Sequence, residues 1–384
     1  MAYASPWIDE ELSILQDHVA RFLQRELAPH REKWDEQGFV DREAWLKAGQ
    51  AGLLCASVPE AYGGGGGHRG HEAVIIQEMG RAGLSGGFGA GNMVSSCIVA
   101  HYILGYGTEE QKRRWLPGMA RGEIVGAIAM SEPGAGSDLQ GVSTTARKVD
   151  GGYRINGQKT WITNGQCADL IVVVTKTDPA AGAKGMSLIA VEPAVAEGFK
   201  RGKKLSKLGM HAQDTSELFF DDVFVPDDNL LGGEPGRGFV QLMQQLAWER
   251  LQIALNATVA MECAVDLAVD YVKQRKLFGK QLLDFQNTQF KLAECKTQVV
   301  VARRFVDGLV VELLEGKLDP ETAAMAKLWA TETQGRVIDE CLQLFGGYGY
   351  VTEYPIARLY ADARVTRIFG GTSEVMKLII SRTL

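Results

Sequence analysis

Glu249 lies in Ala247-Trp248-Glu249-Arg250-Leu251, and Leu242, Leu246 and Ile253 share its helical face. Three and four residues away stand Leu246, Gln252, Gln245 and Ile253, so the helix itself offers no basic partner. An unpaired carboxylate on an apolar stripe has a raised pKa, which suits a general base. A basic group from another segment would make it an ordinary ion pair instead, and the pattern leaves both readings open. A second chemical stretch is Ala129-Met130-Ser131-Glu132-Pro133-Gly134-Ala135-Gly136-Ser137-Asp138. Pro133 keeps a helix from running through it, and Gly134 and Gly136 tolerate positive φ and close approach of a ligand. Such a loop either turns several N–H groups toward one anion or is a plain turn. The nearby Lys159-Thr160-Trp161-Ile162-Thr163-Asn164-Gly165 adds an indole and hydroxyls. Together the two stretches suggest a phosphate clamp beside a wall for a planar ligand.

The elements that must position these residues change character along the chain. Residues 1–122 read as a helical domain: Ile8, Leu12, Leu15, Val19, Phe22 and Leu23 keep a 3.6-residue period that Pro29 closes, and Val74, Ile75, Ile76 and Met79 mark another helix. Thr108 with Gln111 has the pattern of a capping box. Gly63 to Gly67 reads as a flexible connector. Residues 123–236 form short Val/Ile/Thr-rich runs: Tyr153 to Ile155, a hairpin turn at Asn156-Gly157, Gln158 to Ile162, Leu170 to Thr175, Met186 to Val191 and Leu218 to Val225. These predict a small antiparallel barrel or sandwich, and the lack of helices between strands argues against a dinucleotide-binding sheet. Residues 237–384 read as a bundle, with helices over 239–275, 284–315 capped by Asp284, 320–345, and a short one from 372. The class is therefore α+β.

Bulk numbers narrow the functions. A chain of 384 residues suits two or three compact units, and 46% apolar content is ample for a core. A net charge of −6 gives no electrostatic case for nucleic acid. No apolar run reads as a membrane span or signal peptide, so the expectation is a cytoplasmic protein, or one of the mitochondrial matrix if a presequence is missing from this chain. The six cysteines and six histidines are scattered, which favours reduced thiols and no metal site.

The loops at 129–138 and 159–165 resemble the flavin-binding segments of the acyl-CoA dehydrogenases, and the likeness continues along almost the whole chain. The resemblance implies an N-terminal helical domain, a middle β-domain and a C-terminal bundle, with FAD between the last two. It implies oxidation of a fatty acyl-CoA thioester to the 2,3-enoyl-CoA, electrons passed to electron-transfer flavoprotein, and a homotetramer built as a pair of dimers. By the same resemblance Met130, Ser131, Gly136, Ser137, Trp161, Ile162 and Thr163 meet the flavin. Arg275, Phe278 and Gln286 reach the FAD of a neighbouring subunit, and Gln343, Leu344, Gly346 and Gly347 meet its adenine end. Thr372 and Glu374 open the last helix, where free N–H groups suit phosphate.

Many members of that family place the base just before a Gly-Thr near the C-terminus. Here the matching stretch is Ile368-Phe369-Gly370-Gly371-Thr372, and Gly370 has no side chain to take a proton. Long-chain and isovaleryl members carry the base at the helix position that Glu249 occupies. The resemblance therefore assigns Glu249 as the base, with Ser137, Arg250, Phe369, Gly370 and Gly371 on the substrate. Met210 to Phe220 and Gly370-Gly371-Thr372 look more like the long-chain type. Branched or terpenoid acyl-CoA, an oxidase on the same fold and a non-catalytic flavin-bearing scaffold are the alternatives.

Overall fold

Apolar residues at helical spacing wind the first third of the chain into helices in the computed structural model, which describes residues 3–384. They are α1 (Glu10–Phe22), α2 (Arg31–Gln37), α3 (Arg42–Gln50), α4 (Arg69–Arg81), α5 (Ala90–Val94), α6 (Ala100–Tyr106) and α7 (Glu109–Ala120). The capping box at α7 forms: Gln111 N–H donates to Thr108 Oγ1 at 3.3 Å, and Thr108 N–H donates to Gln111 Oε1 at 2.9 Å. Pro29 does not end the first helical stretch. It sits early in a 3₁₀ turn, Ala28–His30, that leads straight into α2, because its missing N–H costs nothing there.

Seven strands follow: β1 (Gly126–Ala129), β2 (Thr145–Val149), β3 (Gly152–Thr163), β4 (Leu170–Lys176), β5 (Met186–Val191), β6 (Phe199–Lys204) and β7 (Thr215–Pro226). They form one sheet in the order β1-β4-β2-β3-β7-β6, with β5 also on β4. The sheet is mixed, not purely antiparallel, because β1 runs parallel to β4 and β2 meets β4 at one parallel pair. Asn156-Gly157 is not a hairpin turn. It is a bulge inside β3, where Asn156 Oδ1 accepts from the Asp222 N–H at 2.9 Å, and the hairpin turns one step earlier at Asp150-Gly151. β6 (Phe-Lys-Arg-Gly-Lys-Lys) escapes an apolar pattern because it is a charged edge strand, which blocks pairing with another sheet. β4 is buried on both faces: Val172 and Val174 pack toward Tyr102 and Trp115 of α6 and α7, while Ile171 and Val173 pack toward Ile155 and Val225. That double burial explains its unbroken apolar run and seats the sheet on the N-terminal helices.

The last third contains α8 (Gly238–Gln274), the tiny hairpin β8 (Lys276–Leu277) and β9 (Lys280–Gln281), α9 (Gln286–Leu314), α10 (Pro320–Gln343), α11 (Pro355–Ala363) and α12 (Ser373–Ser381). Asp284 does not cap α9. Its carboxylate accepts from Gln281 N–H at 2.9 Å within the preceding turn, and Phe285 takes the cap position without a side-chain bond. Among the described residues α8 is long and apolar enough to cross a membrane by length and composition, which corrects the reading of the bare sequence, but 67% of that window is buried. Trp248, Leu251, Ala254 and Leu255 of α8 pack on Val74 and Ile76 of α4, Val306 and Val310 of α9, and Ala326 and Ala330 of α10.

The five glycines at 63–67 are not a loose connector. Gly63, Gly65, Gly66 and Gly67 donate backbone bonds to Glu60, Cys55, Val58 and Ala56 at 2.8–3.2 Å. A Cβ on Gly64 would lie 2.2 Å from the Val58 carbonyl oxygen and 2.5 Å from Val58 Cβ. Gly64→Ala should therefore cost about 1–3 kcal/mol in urea unfolding. Gly134→Ala, where a Cβ meets nothing within 4 Å, should move stability by less than about 0.5 kcal/mol.

Candidate functional site

Helix α8 carries Glu249 into the interior, where the residue is 8% exposed. The fully buried Tyr102 of α6 donates its hydroxyl to Glu249 Oε1 at 3.0 Å. Burial pushes the carboxyl up to about 7, and the Tyr102 hydrogen bond and the charges of Arg250 and Arg69 only partly oppose it. Arg69, the first residue of α4, lays its guanidinium over the Trp248 ring at 5.2 Å. A basic group thus does arrive from another segment, yet among the described residues no salt bridge reaches Glu249. Arg69 Nη1 and Arg250 Nε are buried without partners. Sequence reasoning missed Tyr102 and Arg69: each lies on a helix whose own pattern is simply apolar, and nothing local marks it as a partner of Glu249.

The two loop stretches are stitched together by a buried ion pair. Glu132 accepts from Ser143 N–H and Oγ, both at 2.6 Å, from Thr144 N–H at 3.0 Å, and from Lys159 Nζ at 2.8 Å. Lys159 also donates to the Met130 carbonyl at 3.0 Å, and Thr160 N–H donates to the Ser131 carbonyl at 3.0 Å. Burial would raise the Glu132 pKa, but its donors outweigh that and hold it at about 2. Glu132 and Lys159 both stood inside the stretches singled out above, but only the fold reveals that they meet.

Around this pair the nominated residues divide. Trp161 has φ +59 where the β3–β7 ladder breaks, and its indole is 60% exposed. A left-handed non-glycine residue stores strain, which is commonest at ligand sites. The half-buried Ser131 and Thr163 hydroxyls make no hydrogen bond within the described residues, while Gly136 and Ser137 are exposed. A Cβ on Gly136 would meet nothing within 4 Å, so packing leaves the loop open. Two spare hydroxyls, an exposed indole and an open loop fit a planar cofactor with a phosphate arm. Ile162 differs: its side chain is buried in the sheet core, which leaves only its backbone for a ligand. Tyr102 lies in the same apolar cluster as Met130 and Ala135, and so joins this loop to Glu249.

At the C-terminal end Gly370 and Gly371 have φ +63 and +93. A Cβ on Gly370 would sit 2.4 Å from Ile253 Cδ1, one turn along α8 from Glu249. Phe369 beside it is 37% exposed. Thr372 Oγ1 accepts from Val375 N–H at 3.3 Å as the cap of α12, with Glu374 in its exposed first turn. A third group stands at the far end of α8. The Arg275 guanidinium lies 5.9 Å over Tyr348, and Tyr271 stacks on Phe345 at 4.2 Å, so the end of α8 packs on the stretch from Phe345 to Tyr348. Phe278, at the tip of the β8–β9 hairpin, has φ +51 and is 87% exposed, and Gln286 opens α9. Among the described residues no hydrogen bond joins this group to the loop at 130–138. A cavity of about 970 Å³ lined by Arg31, Asn256 and Asp362 reaches the nominated residues only at Phe369. Among the described residues no group of three or more His, Cys, Asp or Glu could hold a metal.

Family models match the chain in three successive stretches: the acyl-CoA dehydrogenase N-terminal domain over residues 9–123, the middle domain over 127–223 and the C-terminal domain over 236–384. Mouse mitochondrial long-chain specific acyl-CoA dehydrogenase is 47% identical over 376 residues, covering 97% of this chain and 86% of its own. The mitochondrial isovaleryl-CoA dehydrogenase of Solanum tuberosum is 39% identical over 378 residues, covering 98% and 91%. The crystal structure of an acyl-CoA dehydrogenase from Geobacillus kaustophilus, 47% identical, superposes with a TM-score of 0.95 over 99% of both chains.

The buried pair makes a stability prediction with a sign. Lys159→Met leaves Glu132 buried without its cation and should cost about 3–5 kcal/mol in urea melts at pH 7. The folded pKa of Glu132, about 2, lies below its ordinary 4.5. Its stabilisation is therefore complete above that ordinary value and lost as pH falls toward the folded one. The wild-type urea midpoint should drop across that window, and Glu132→Gln should lack that part of the drop.

Proposed function

The chain belongs to the acyl-CoA dehydrogenase family, and from that premise we propose that Glu249 removes the α-proton of a medium- to long-chain fatty acyl-CoA. The family comprises FAD-dependent oxidoreductases acting on CH–CH bonds. The observation that carries the proposal is the conjunction of a buried, unpaired Glu249 with a glycine at position 370.

Breaking the C–H bond next to a thioester needs a base at that carbon and a donor for the charge that grows on the carbonyl oxygen. With its pKa at about 7, a substantial fraction of Glu249 is ionised at neutral pH, and that form accepts the proton and holds it in a dry site. The Gly370 N–H polarises the carbonyl, Arg250 and Phe369 bound the thioester, and Gly371 completes the turn. FAD, when bound, would supply the acceptor for the hydride from the β-carbon, at flavin N5, and with it the route to electron-transfer flavoprotein. Ser131, Thr163 and the Trp161 indole would hold its ring, with Met130, Gly136, Ser137 and the Ile162 backbone beside them; Ser137 would also serve the CoA end. Thr372 and the backbone at Glu374, at the start of α12, would serve its phosphates.

Arg275, Phe278, Gln286 and the segment Gln343, Leu344, Gly346 and Gly347 serve a neighbour's FAD in a homotetramer of two dimers. The exposed Phe278 at the tip of the β8–β9 hairpin supports that reading. A monomeric mass in light scattering, with full flavin and activity, would exclude it.

The straight-chain reading draws on the long-chain relative and on the Met210–Phe220 and Gly370-Gly371-Thr372 stretches. The isovaleryl relative favours a branched substrate as the second reading. Anaerobic titration with straight and branched acyl-CoAs, followed by flavin absorbance, separates them.

Glu249→Gln should slow anaerobic flavin bleaching by about 10²–10⁴-fold with flavin content unchanged; bleaching at the wild-type rate would remove Glu249 from the mechanism. Because the base works ionised and its pKa is about 7, kcat/KM should rise with pH through that value. Tyr102→Phe removes a hydrogen bond that favours the ionised form, so its acid limb should move to higher pH. A limb that stays put or moves lower would contradict the hydrogen bond's assigned direction.

A further inference from the structure

Lys327 lies in an alanine-rich stretch of α10, among Ala323, Ala324, Ala326 and Ala330, and is 0% exposed. Burying a lysine is costly unless its charge is paired, yet among the described residues no carboxylate lies in ion-pair range of it. Its Nζ donates to the Gly371 carbonyl at 2.6 Å. The charged groups around it do not neutralise it. Glu332 of the same helix is taken up by the Ser373 hydroxyl at 2.6 Å and by Arg367 at 3.6 Å. Glu374 of α12 is exposed. Arg250 of α8 is a second buried cation with its Nε unpartnered. Burial draws the ammonium down to about 8, Arg250 pushes the same way, and Glu332 and Glu374 oppose them.

The carbonyl it holds belongs to an unusual turn. Gly370 and Gly371 are consecutive glycines, both at positive φ. Glycine reaches such angles without clash but also leaves them readily, because it has the most backbone freedom to lose. Nothing in the turn's own sequence would keep the Gly370 N–H fixed. The ammonium bond across 44 residues ties the turn to α10.

We propose that Lys327 is a positioning residue for thioester activation: it clamps the Gly371 carbonyl so that the Gly370 N–H stays aimed at the thioester oxygen. This rests on the reaction proposed above. An uncompensated buried charge is a poor device for stability alone, since an apolar side chain of like length would fit the same space at less cost. Placed under a turn that must steady growing negative charge, it serves both geometry and field.

The test uses wild-type and Lys327→Met holoenzymes. Three quantities are read: flavin content with thermal midpoint, the rate of anaerobic bleaching by a saturated acyl-CoA, and the Raman carbonyl stretch of bound 2-enoyl-CoA. Lys327→Met should keep its flavin and melt at the wild-type temperature or higher. Bleaching should slow roughly 10- to 100-fold, while the half-saturating acyl-CoA concentration changes less than about threefold. The thioester carbonyl stretch should move toward its value in free enoyl-CoA. An unchanged carbonyl stretch overturns the proposal whatever the melting temperature, and so does a wild-type bleaching rate. A variant that loses flavin makes Lys327 a scaffold residue and overturns it too. Wild type that no acyl-CoA bleaches would instead refute the reaction, whereas bleaching in wild type with an unaltered variant refutes the clamp alone.

Discussion

Burying a carboxylate without a counter-ion is the constraint on which the rest of this structure depends. Left fully dry, Glu249 would stay protonated and could accept nothing; paired with an arginine, it would stay ionised and be a weak base. The fold settles between these. One hydroxyl bond from Tyr102 and two guanidinium groups beyond ion-pair range leave it at about 7. That balance requires α8 to be covered by α4, α9 and α10 around Trp248 and Leu251, and α6 to bring Tyr102 from the sheet side. The three-part architecture is what allows four helices and a sheet to close on one side chain.

Glu132 shows the same residue type under the opposite treatment. Its four donors from Ser143, Thr144 and Lys159 pin it as an anion, at about 2, and it has no proton to exchange near neutrality. It acts as a rivet between the loop at 130–138 and the strand that carries Trp161. Two buried glutamates thus take two jobs, and the number of hydrogen bonds to the charged form decides which. The buried lysines divide likewise: Lys159 has a carboxylate and a carbonyl, whereas among the described residues Lys327 has a carbonyl alone.

What the sequence disclosed follows from the range of each interaction. Thr108 and Gln111 were legible because a capping box closes within four residues. The apolar face beside Glu249 and the unbroken runs of β4 and β5 were legible because burial writes itself into local pattern. Tyr102 was not, because its bond to Glu249 spans 147 residues and a tyrosine on an apolar helix looks like core. Charged β6 was invisible to an apolar pattern, and Asn156-Gly157 was misread because its turn chemistry also suits a bulge. The glycines at 63–67 look flexible in sequence; only their backbone bonds to Cys55, Ala56 and Val58 show that close packing demands them.

Position 370 bears on the proposed place of the base on α8. Gly370 has φ +63, and a Cβ there would press on Ile253 Cδ1 at 2.4 Å. Ile253 lies one helical turn from Glu249 on the same face, so the apolar wall that raises the pKa of Glu249 also occupies the room that a side chain at 370 would need. A carboxylate at 370 would be strained by the positive φ and would have to displace Ile253 Cδ1, the tip of a side chain on the Glu249 face. The two places for a base are therefore coupled through one isoleucine. Under the proposed reaction, moving the carboxylate would disturb the α8 face as well as the turn, and Glu249, Ile253 and Gly370 act as one set.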